Sequence, residues 1–385
     1  MKNSELLLKH YQYRSDAYAC KGNIMHIPWS ETDNDFVDSI TNADFIEILE
    51  KDPASTTESD YGRLVELYNE EWVLNYLVSK NISVKKIPET DIKTPDFECS
   101  IKKNGTEKKF FIELKSLDIC DGSYGHDQNN EEALKIVIKE EEDIKKNPQK
   151  GFYSSIQVPN NFANKLDCDC QRASLIEILI EKIENNLKKE QFSKGPTFLF
   201  VMIDRLCPGI GSKEDLVSYY FDGNFSVVSG LFWTVCFANV GHLVLKKAEF
   251  EGKSNIERPL KKQGILINRD YIAGVMFGYS FFKKEKKVFG IYDGHFTFDN
   301  NRWTDLDTVE VFSNITNDYS DKENETIAWK VNKKIQTMAP KNILLLFKTL
   351  IFRSRFKQFS AKKSIFSVIK TIKYIGSIPF RTKKK

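Results

Sequence analysis

The chain has 385 residues, of which 41% are hydrophobic and 29% are charged, so it can bury a sizeable core, and its length favours two or three structural units. Its seven cysteines are an odd number without a regular framework, and the N-terminal segment is polar, without an apolar stretch. Both features argue against a secreted, disulfide-stabilised protein, and we expect a reducing, cytoplasmic setting.

The net charge of +3 conceals a strongly basic C-terminal segment. Residues 341–385 contain 13 Lys or Arg and no Asp or Glu, which leaves a net charge of −10 on residues 1–340. Apolar residues are interleaved with the basic ones. We expect this amphipathic tail to contact an anionic partner, either nucleic acid or a membrane surface.

The first predicted helix follows a long polar segment. Residues 1–60 are polar, with turn-forming residues at Asp52-Pro53 and a Ser/Thr cluster at 55–57, and we expect an irregular N-terminal extension there. From Gly62 to Ser79 the pattern becomes helical, with Asp60 as its predicted cap. One face of this helix carries an apolar stripe, formed by Leu67, Leu74 and Leu77. A short strand from Ile82 to Ile87 comes next.

A β-hairpin is the strongest local prediction. Residues 96–101 alternate between polar and apolar side chains, as a half-buried strand does, and residues 110–115 repeat that alternation. Asn104-Gly105 lies between them and supplies the two positive-φ positions of a tight turn. Residues whose numbers sum to about 209 should therefore face each other across the ribbon.

The remaining elements complete an α/β order. Residues 118–170 indicate an insertion with one helix, and Ala173 to Gln191 is helical. A buried strand, 198–203, follows it. The order of helix, three strands, helix and strand predicts a compact α/β core over residues 61–210.

Residues 211–340 are mostly strand-like, including Ile265-Leu266-Ile267, and predict a β-rich extension of the first sheet or a separate subdomain. Residues 225–245 contain no charged residue and are long enough to span a bilayer. However, Ser226, Ser229, Asn239 and His242 lie within this stretch, and Asn239-Val240-Gly241 resembles a turn. We expect a buried strand pair rather than a transmembrane helix.

The hairpin brings chemically reactive side chains together. Asp96 and Glu113 have numbers that sum to 209, so they should lie directly opposite each other on one face of the ribbon. Lys115 lies two residues beyond Glu113 and points to that face by strand alternation. Two adjacent carboxylates repel each other, and a hard divalent cation such as Mg²⁺ removes the conflict. On the preceding helix, Glu70 lies on the apolar stripe, so we expect it to face inward and to supply a supporting carboxylate.

These residues carry a family resemblance. Thr94-Pro95-Asp96, the hairpin, and Glu113-Leu114-Lys115 resemble the PD-(D/E)xK nuclease superfamily, which has the restriction-endonuclease-like fold. The helix carboxylate Glu70 matches that family's upstream motif. The resemblance covers residues 62–116, and residues 173–204 fit the family's following helix and strand.

The resemblance implies a metal-dependent nuclease. Asp96, Glu113 and the Leu114 carbonyl would bind Mg²⁺, for which Mn²⁺ can substitute, and Lys115 would assist an in-line attack of water on a phosphodiester. Glu70 would be a third ligand or would orient the metal. Glu71 is an alternative for that role and Glu66 is a weaker one.

Other signals are weaker. Cys168-Asp169-Cys170 lacks a second cysteine pair at ligand spacing, and the loop 208–213 lacks the spacing of a phosphate-binding loop. His126 lies in the insertion and is most simply a surface residue. Trp233 and Trp303 are predicted core aromatics.

Three functions follow as hypotheses. The first is a Mg²⁺-dependent endodeoxyribonuclease, with restriction or anti-phage defence as its family-level role and repair as another. The second is a non-catalytic nucleic-acid-binding protein that keeps the fold. The third is a membrane-surface protein anchored by residues 341–385. RNA as the substrate and a homodimeric assembly are left open.

Overall fold

The computed structural model describes a large part of the chain. The described residues are 1–19, 34–88, 93–103, 106–118, 171–205, 212–222, 226–246, 255–279, 286–294, 296, 298, 302–323, 327–331 and 334–338. The predicted Asn104-Gly105 turn, the insertion from residue 119 to 170, and the basic tail lie outside them.

The described residues form seven α-helices and thirteen β-strands. The helices are α1 (Asn3–Ala19), α2 (Asn34–Ser39), α3 (Ala43–Glu50), α4 (Glu58–Ser79), α5 (Gln171–Asn186), α6 (Leu231–Phe237) and α7 (Asp305–Ile315). The strands are β1 (Ser83–Lys86), β2 (Phe97–Lys103), β3 (Thr106–Asp118), β4 (Thr197–Arg205), β5 (Tyr219–Asp222), β6 (Ser226–Ser229), β7 (Leu243–Leu245), β8 (Ile256–Pro259), β9 (Ile272–Tyr279), β10 (Lys287–Tyr292), β11 (Asp318–Asp321), β12 (Ile327–Val331) and β13 (Lys334–Met338).

The expectation of an irregular N-terminal extension is wrong. Residues 1–60 contain α1, α2 and α3. These helices bury Leu7, Val37 and Phe45 against Leu67 and Tyr68 of α4. Helix α3 does carry a helical repeat, because Phe45, Ile48 and Leu49 lie on one face, but this repeat is short and lies in a polar segment. Contact with α4 stabilises these helices, and a local pattern does not reveal such a contact.

Helix α4 begins earlier than its apolar stripe indicates. Thr57 is the N-cap residue: its side chain accepts a hydrogen bond from the Asp60 N–H, and Asp60 accepts one from the Thr57 N–H. Asp60 therefore contributes to the cap from the third helical position, as in a capping box. After the helix, Asn81 adopts a φ of 59° and turns the chain into β1.

A seven-stranded mixed sheet organises the molecule, in the order β1-β2-β3-β4-β9-β10-β11. β1, β2 and β3 are antiparallel neighbours, whereas β4 is parallel to β3 and β9 is parallel to β4. The elements from α4 to β4 follow the predicted order of helix, three strands, helix and strand. The α/β class is therefore confirmed.

Helices cover both faces of this sheet. On one face, Leu199 and Val201 of β4 pack with α5 and α6. On the other face, Phe198 and Phe200 pack with α4 and α7. Because β4 is apolar on both sides, it reads as a continuous hydrophobic run, as buried parallel strands do.

The C-terminal half contributes to several sheets. β9, β10 and β11 extend the central sheet, while β5, β6, β12 and β13 form a second sheet of four strands. Two local predictions are wrong there. Residues 265–267 form a turn instead of a strand, and the predicted strand pair at 225–245 is interrupted by α6. All seven residues of α6 are buried, so its sequence has no polar face to mark it as a helix. Among the described residues, no helix is long and apolar enough to cross a lipid bilayer.

Candidate active site

The hairpin register is the one that the turn predicts. Every paired position in β2 and β3 sums to 209, beginning with Phe97 opposite Ile112. The next step in this register places Asp96 opposite Glu113. Strand alternation then puts Glu113 on the face opposite to Ile112, and Lys115 on the same face as Glu113. The Lys115 Nζ atom lies 2.5 Å from Glu113 Oε1, so the predicted neighbours are in contact.

Asp96 is held by the backbone of the partner strand. Its Oδ2 atom accepts a hydrogen bond from the Leu114 N–H at 2.6 Å. Leu114 lies between Glu113 and Lys115, and its side chain packs on the opposite face of the sheet. This contact fixes the position of the Asp96 carboxylate relative to β3. Asp96 also affects Glu113 electrostatically, because its negative charge raises the pKa of the Glu113 carboxyl.

Glu113 is a buried carboxylate, since only 1% of the residue is exposed. One of its two oxygens has hydrogen-bond partners. Oε1 accepts hydrogen bonds from Lys115 Nζ and from Gln191 Nε2. Oε2 is buried and has no hydrogen-bond partner among the described residues. A buried carboxylate oxygen without a partner costs free energy unless a cation or a donor reaches it.

Burial raises the pKa of Glu113 to about 7, and the charge of Asp96 adds to that increase. Lys115 and the hydrogen bond from Gln191 act in the opposite direction, since both favour the ionised form. Lys115 is itself largely shielded, with 17% of its side chain exposed. The result is a carboxyl whose protonation changes near neutral pH, which is common at functional sites.

Gln191 is a site residue that the sequence pattern does not identify. It lies in a 3₁₀ turn, Lys189–Phe192, that follows α5, and it is buried. Its side-chain oxygen accepts a hydrogen bond from the Lys188 N–H at 3.0 Å, which orients its Nε2 group toward Glu113. The predicted helix reached residue 191, whereas α5 ends at Asn186. Only the tertiary fold brings this glutamine to β3.

The structure does not bring Glu70 to this group. Its carboxylate pairs with Lys86 of β1, with Glu70 Oε1 2.8 Å from the Lys86 Nζ atom. Helix α4 lies on the other face of the sheet, where Asn69 Nδ2 donates to Ser116 Oγ at 3.2 Å. Ser116 alternates with Lys115, so α4 contacts the face that points away from Glu113.

The other helix carboxylates do not complete a metal site. Glu66 is exposed, 3.4 Å from Arg63, and Glu71 is half-buried. Within the part of the chain that the structure describes, no three His, Cys, Asp or Glu side chains are grouped as metal ligands. A metal at this site would therefore use the carboxylates of Asp96 and Glu113, with the Leu114 carbonyl as the predicted backbone ligand. Two carboxylates plus water and substrate oxygens are an ordinary ligand set for Mg²⁺.

No family model, curated protein or solved structure matches this chain. The geometry around Asp96, Glu113 and Lys115, together with the order of the elements that carry them, is therefore the basis for assigning a function.

Most of the weaker sequence candidates lie beyond the part of the chain that the structure describes. His126, Cys168 and Cys170 lie outside the described residues, as does most of the loop 208–213. Trp233 and Trp303 are buried core aromatics, as predicted.

Proposed function

We propose that this chain is a Mg²⁺-dependent phosphodiester hydrolase, an endodeoxyribonuclease with a restriction-endonuclease-like core. The observation that carries the proposal is the environment of the Glu113 carboxylate. This carboxylate is buried, lies next to a second carboxylate, accepts a hydrogen bond from Lys115, and has one oxygen for which the described residues supply no partner. A divalent cation accounts for the carboxylate pair and the unpartnered oxygen, because it would bind that oxygen and remove the repulsion between the two acids.

The order of elements supports the same proposal. Residues from α4 to β4 run helix, three antiparallel strands, helix and a strand parallel to β3. The resemblance of Pro95-Asp96 and Glu113-Leu114-Lys115 to the PD-(D/E)xK superfamily implies this order and this placement of the acids. The acid, acid and lysine positions of that pattern are all occupied.

Each residue has a role in the proposed chemistry. Bound Mg²⁺ supplies Lewis-acid polarisation of the phosphodiester and acidification of the attacking water. Asp96 and Glu113 would hold the cation, and the Leu114 N–H keeps the Asp96 carboxylate in place. Gln191 donates to Glu113 Oε1, which would leave the other oxygen of Glu113 available to a cation. Lys115 orients the water and neutralises charge that develops on the phosphate.

Plasmid nicking tests the proposal directly. Purified full-length protein should nick supercoiled DNA with Mg²⁺ or Mn²⁺ and should not do so with EDTA. Asp96→Asn and Lys115→Met should abolish nicking, while the surface variants Glu66→Gln and Lys322→Met should keep it. Equal nicking by all four variants would show that the activity arises elsewhere.

A non-catalytic nucleic-acid-binding protein is the second candidate. The pairing of Glu70 with Lys86 favours it, since this ion pair leaves two carboxylates at the site where the sequence pattern predicted three. That candidate predicts DNA binding without nicking under any metal condition. The membrane-surface alternative depends on the tail, residues 341–385, and predicts that deleting the tail releases the protein from anionic vesicles.

A further inference from the structure

An exposed polar face of the hairpin adjoins the candidate active site. Strand alternation places six side chains of β1, β2 and β3 on the same side of the sheet as Glu113, and we call them the ribbon face: Lys85, Glu98, Ser100, Lys102, Glu107 and Lys109. Four of them are exposed, and 63% of the Lys109 side chain is accessible to solvent. The opposite side of the same strands is buried, with Phe97, Cys99, Ile101 and Phe110 in the core.

A close backbone approach brings one more lysine to this face. A Cβ atom on Gly195 would lie 2.6 Å from the ring of Phe111, and the Phe111 N–H donates to the Pro196 carbonyl at 2.8 Å. Phe111 lies on the ribbon face, between Lys109 and Glu113. The segment before β4 therefore packs against the ribbon, and exposed Lys194 lies close enough to lower the pKa of Glu98. We include Lys194 in the ribbon face from here on.

Cations outnumber anions on this surface. It carries four lysines and two glutamates, and both glutamates are engaged. Glu98 is 2.9 Å from the Lys109 Nζ atom, and this contact, with Lys85 and Lys194 nearby, lowers the pKa of Glu98. Glu107 accepts a hydrogen bond from Ser100 Oγ at 2.6 Å. With four lysines against two glutamates, the ribbon face carries a net charge of +2, which suits a polyanion, while Asp96 and Glu113 lie beyond it at the candidate metal site.

The ribbon face leads directly to the candidate active site. Lys109, Phe111, Glu113 and Lys115 form one row along β3, and Lys109 lies four residues before Glu113. At about 3.4 Å per residue this distance is about 14 Å. The same distance corresponds to about four base pairs of duplex DNA, whose axis advances about 3.4 Å per base pair.

We propose that the ribbon face binds the backbone phosphates of duplex DNA on one side of the bond that is cleaved. Lys85, Lys102, Lys109 and Lys194 make the contacts, which are electrostatic and independent of base sequence. This inference rests on the proposed nuclease function, because that function requires duplex DNA to extend beyond Glu113. The ribbon face is the surface over which that DNA runs.

Binding without hydrolysis tests the surface separately from the chemistry. The full chain with Glu113→Gln is titrated, without metal, against a fluorescent duplex of about 20 base pairs at salt concentrations from about 50 to about 200 mM. The test variant adds Lys85→Ala, Lys102→Ala, Lys109→Ala and Lys194→Ala. The control variant removes the same charge elsewhere, through Lys2→Ala, Lys261→Ala, Lys262→Ala and Lys322→Ala.

The expected readout is the salt dependence of binding. Each lost phosphate contact lowers the slope of log K against log salt by about 0.9, so the ribbon variant should lose a slope of about 3 to 4. The control variant should keep the parent slope. The basic tail is present in both variants, so its contribution cancels. Equal slopes for the two variants would overturn the proposal, and so would tighter binding of an RNA duplex than of a DNA duplex of the same sequence.

The two proposals fail in different ways. If the ribbon variant loses its salt slope but the unmutated protein never nicks DNA, the surface stands and the nuclease function falls. If the unmutated protein nicks DNA and the ribbon variant keeps its slope, the DNA follows another path.

Discussion

Asp96 and Leu114 join the two strands of the candidate site, because the Asp96 carboxylate accepts a hydrogen bond from the Leu114 N–H at 2.6 Å. The N–H belongs to the residue between Glu113 and Lys115. The position of Asp96 is therefore set by the same segment of backbone that presents the second acid and the lysine. Preorganisation of this kind lets a site bind a cation without first ordering its ligands.

The substitution Asp96→Asn separates charge from structure. An amide oxygen can still accept the Leu114 hydrogen bond, so we expect the free energy of unfolding to change by no more than about 1 kcal/mol. The negative charge is lost, and nicking should fall at least about 100-fold, since a metal ion contributes several kcal/mol to transition-state stabilisation. Denaturant unfolding and nicking assays on one preparation measure both. Near-normal nicking by folded Asp96→Asn protein would remove Asp96 from the site.

Glu113 should make the metal-free protein less stable as the pH rises. Its pKa is raised from 4.5 to about 7 in the folded chain, so between those values the folded state binds more protons than the unfolded state. The stabilisation that this proton provides is complete below about pH 4.5 and is lost as the pH rises through about 7, with a size on the order of 3 kcal/mol.

The measurement is the urea midpoint from pH 4.5 to 8, in EDTA, for the unmutated protein and for Glu113→Gln. The difference between the two curves isolates Glu113, because the other ionisable groups are common to both proteins. We expect the urea midpoint of Glu113→Gln to rise relative to that of the unmutated protein as the pH rises. Parallel curves would show that Glu113 ionises at its ordinary pKa. Added Mg²⁺ should stabilise only the unmutated protein.

Gln191→Leu tests the residue that the sequence did not reveal. The hydrogen bond from Gln191 lowers the pKa of Glu113, so its loss should raise that pKa further. Because the cation requires ionised Glu113, the acidic limb of the nicking pH profile should move to higher pH by about one unit. Glu190→Leu, at the exposed neighbouring position, is the control. A uniform loss of activity without a shift of the profile would assign Gln191 a purely structural role.

Glu70→Gln should have little effect on nicking. Glu70 is paired with Lys86, and α4 lies on the face of the sheet that points away from Glu113. We expect nicking within about tenfold of the unmutated rate, and a stability loss below about 1 kcal/mol from the partly exposed ion pair. Glu71→Gln is measured beside it as the alternative helix carboxylate. A loss as large as that of Asp96→Asn would return Glu70 to the metal site.

The sequence predicts those parts of the site that depend on a local repeat. A two-residue turn and a period of two are enough to place Asp96 opposite Glu113 and to put Lys115 beside it. Gln191 could not be found in this way, because its contact with β3 depends on where α5 ends and how the chain turns afterwards. The partner of Glu70 was missed for a similar reason. The apolar stripe of α4 shows which side of that helix is buried, but it does not show that Lys86 will pair with Glu70.

The same distinction applies to the fold. The central hairpin, α5 and β4 have strong local periods and were predicted. The helices α1 and α2 and the buried helix α6 lack such periods, and α3 has only a short one, formed by Phe45, Ile48 and Leu49. The stability of these helices comes from residues distant in the sequence. Whether residues 61–210 and 211–340 are separate domains stays a prediction.

The position of β9 beside β4 has a practical consequence for protein production. A fragment that stops near residue 210 would lack β9 and would leave the edge of β4 without its hydrogen-bonding neighbour. The unpaired backbone of β4, flanked by the apolar side chains of Phe198, Phe200 and Val201, would then pair with other copies of the fragment and cause aggregation. Insolubility of such a fragment would therefore be a consequence of the missing strand and would not bear on catalysis.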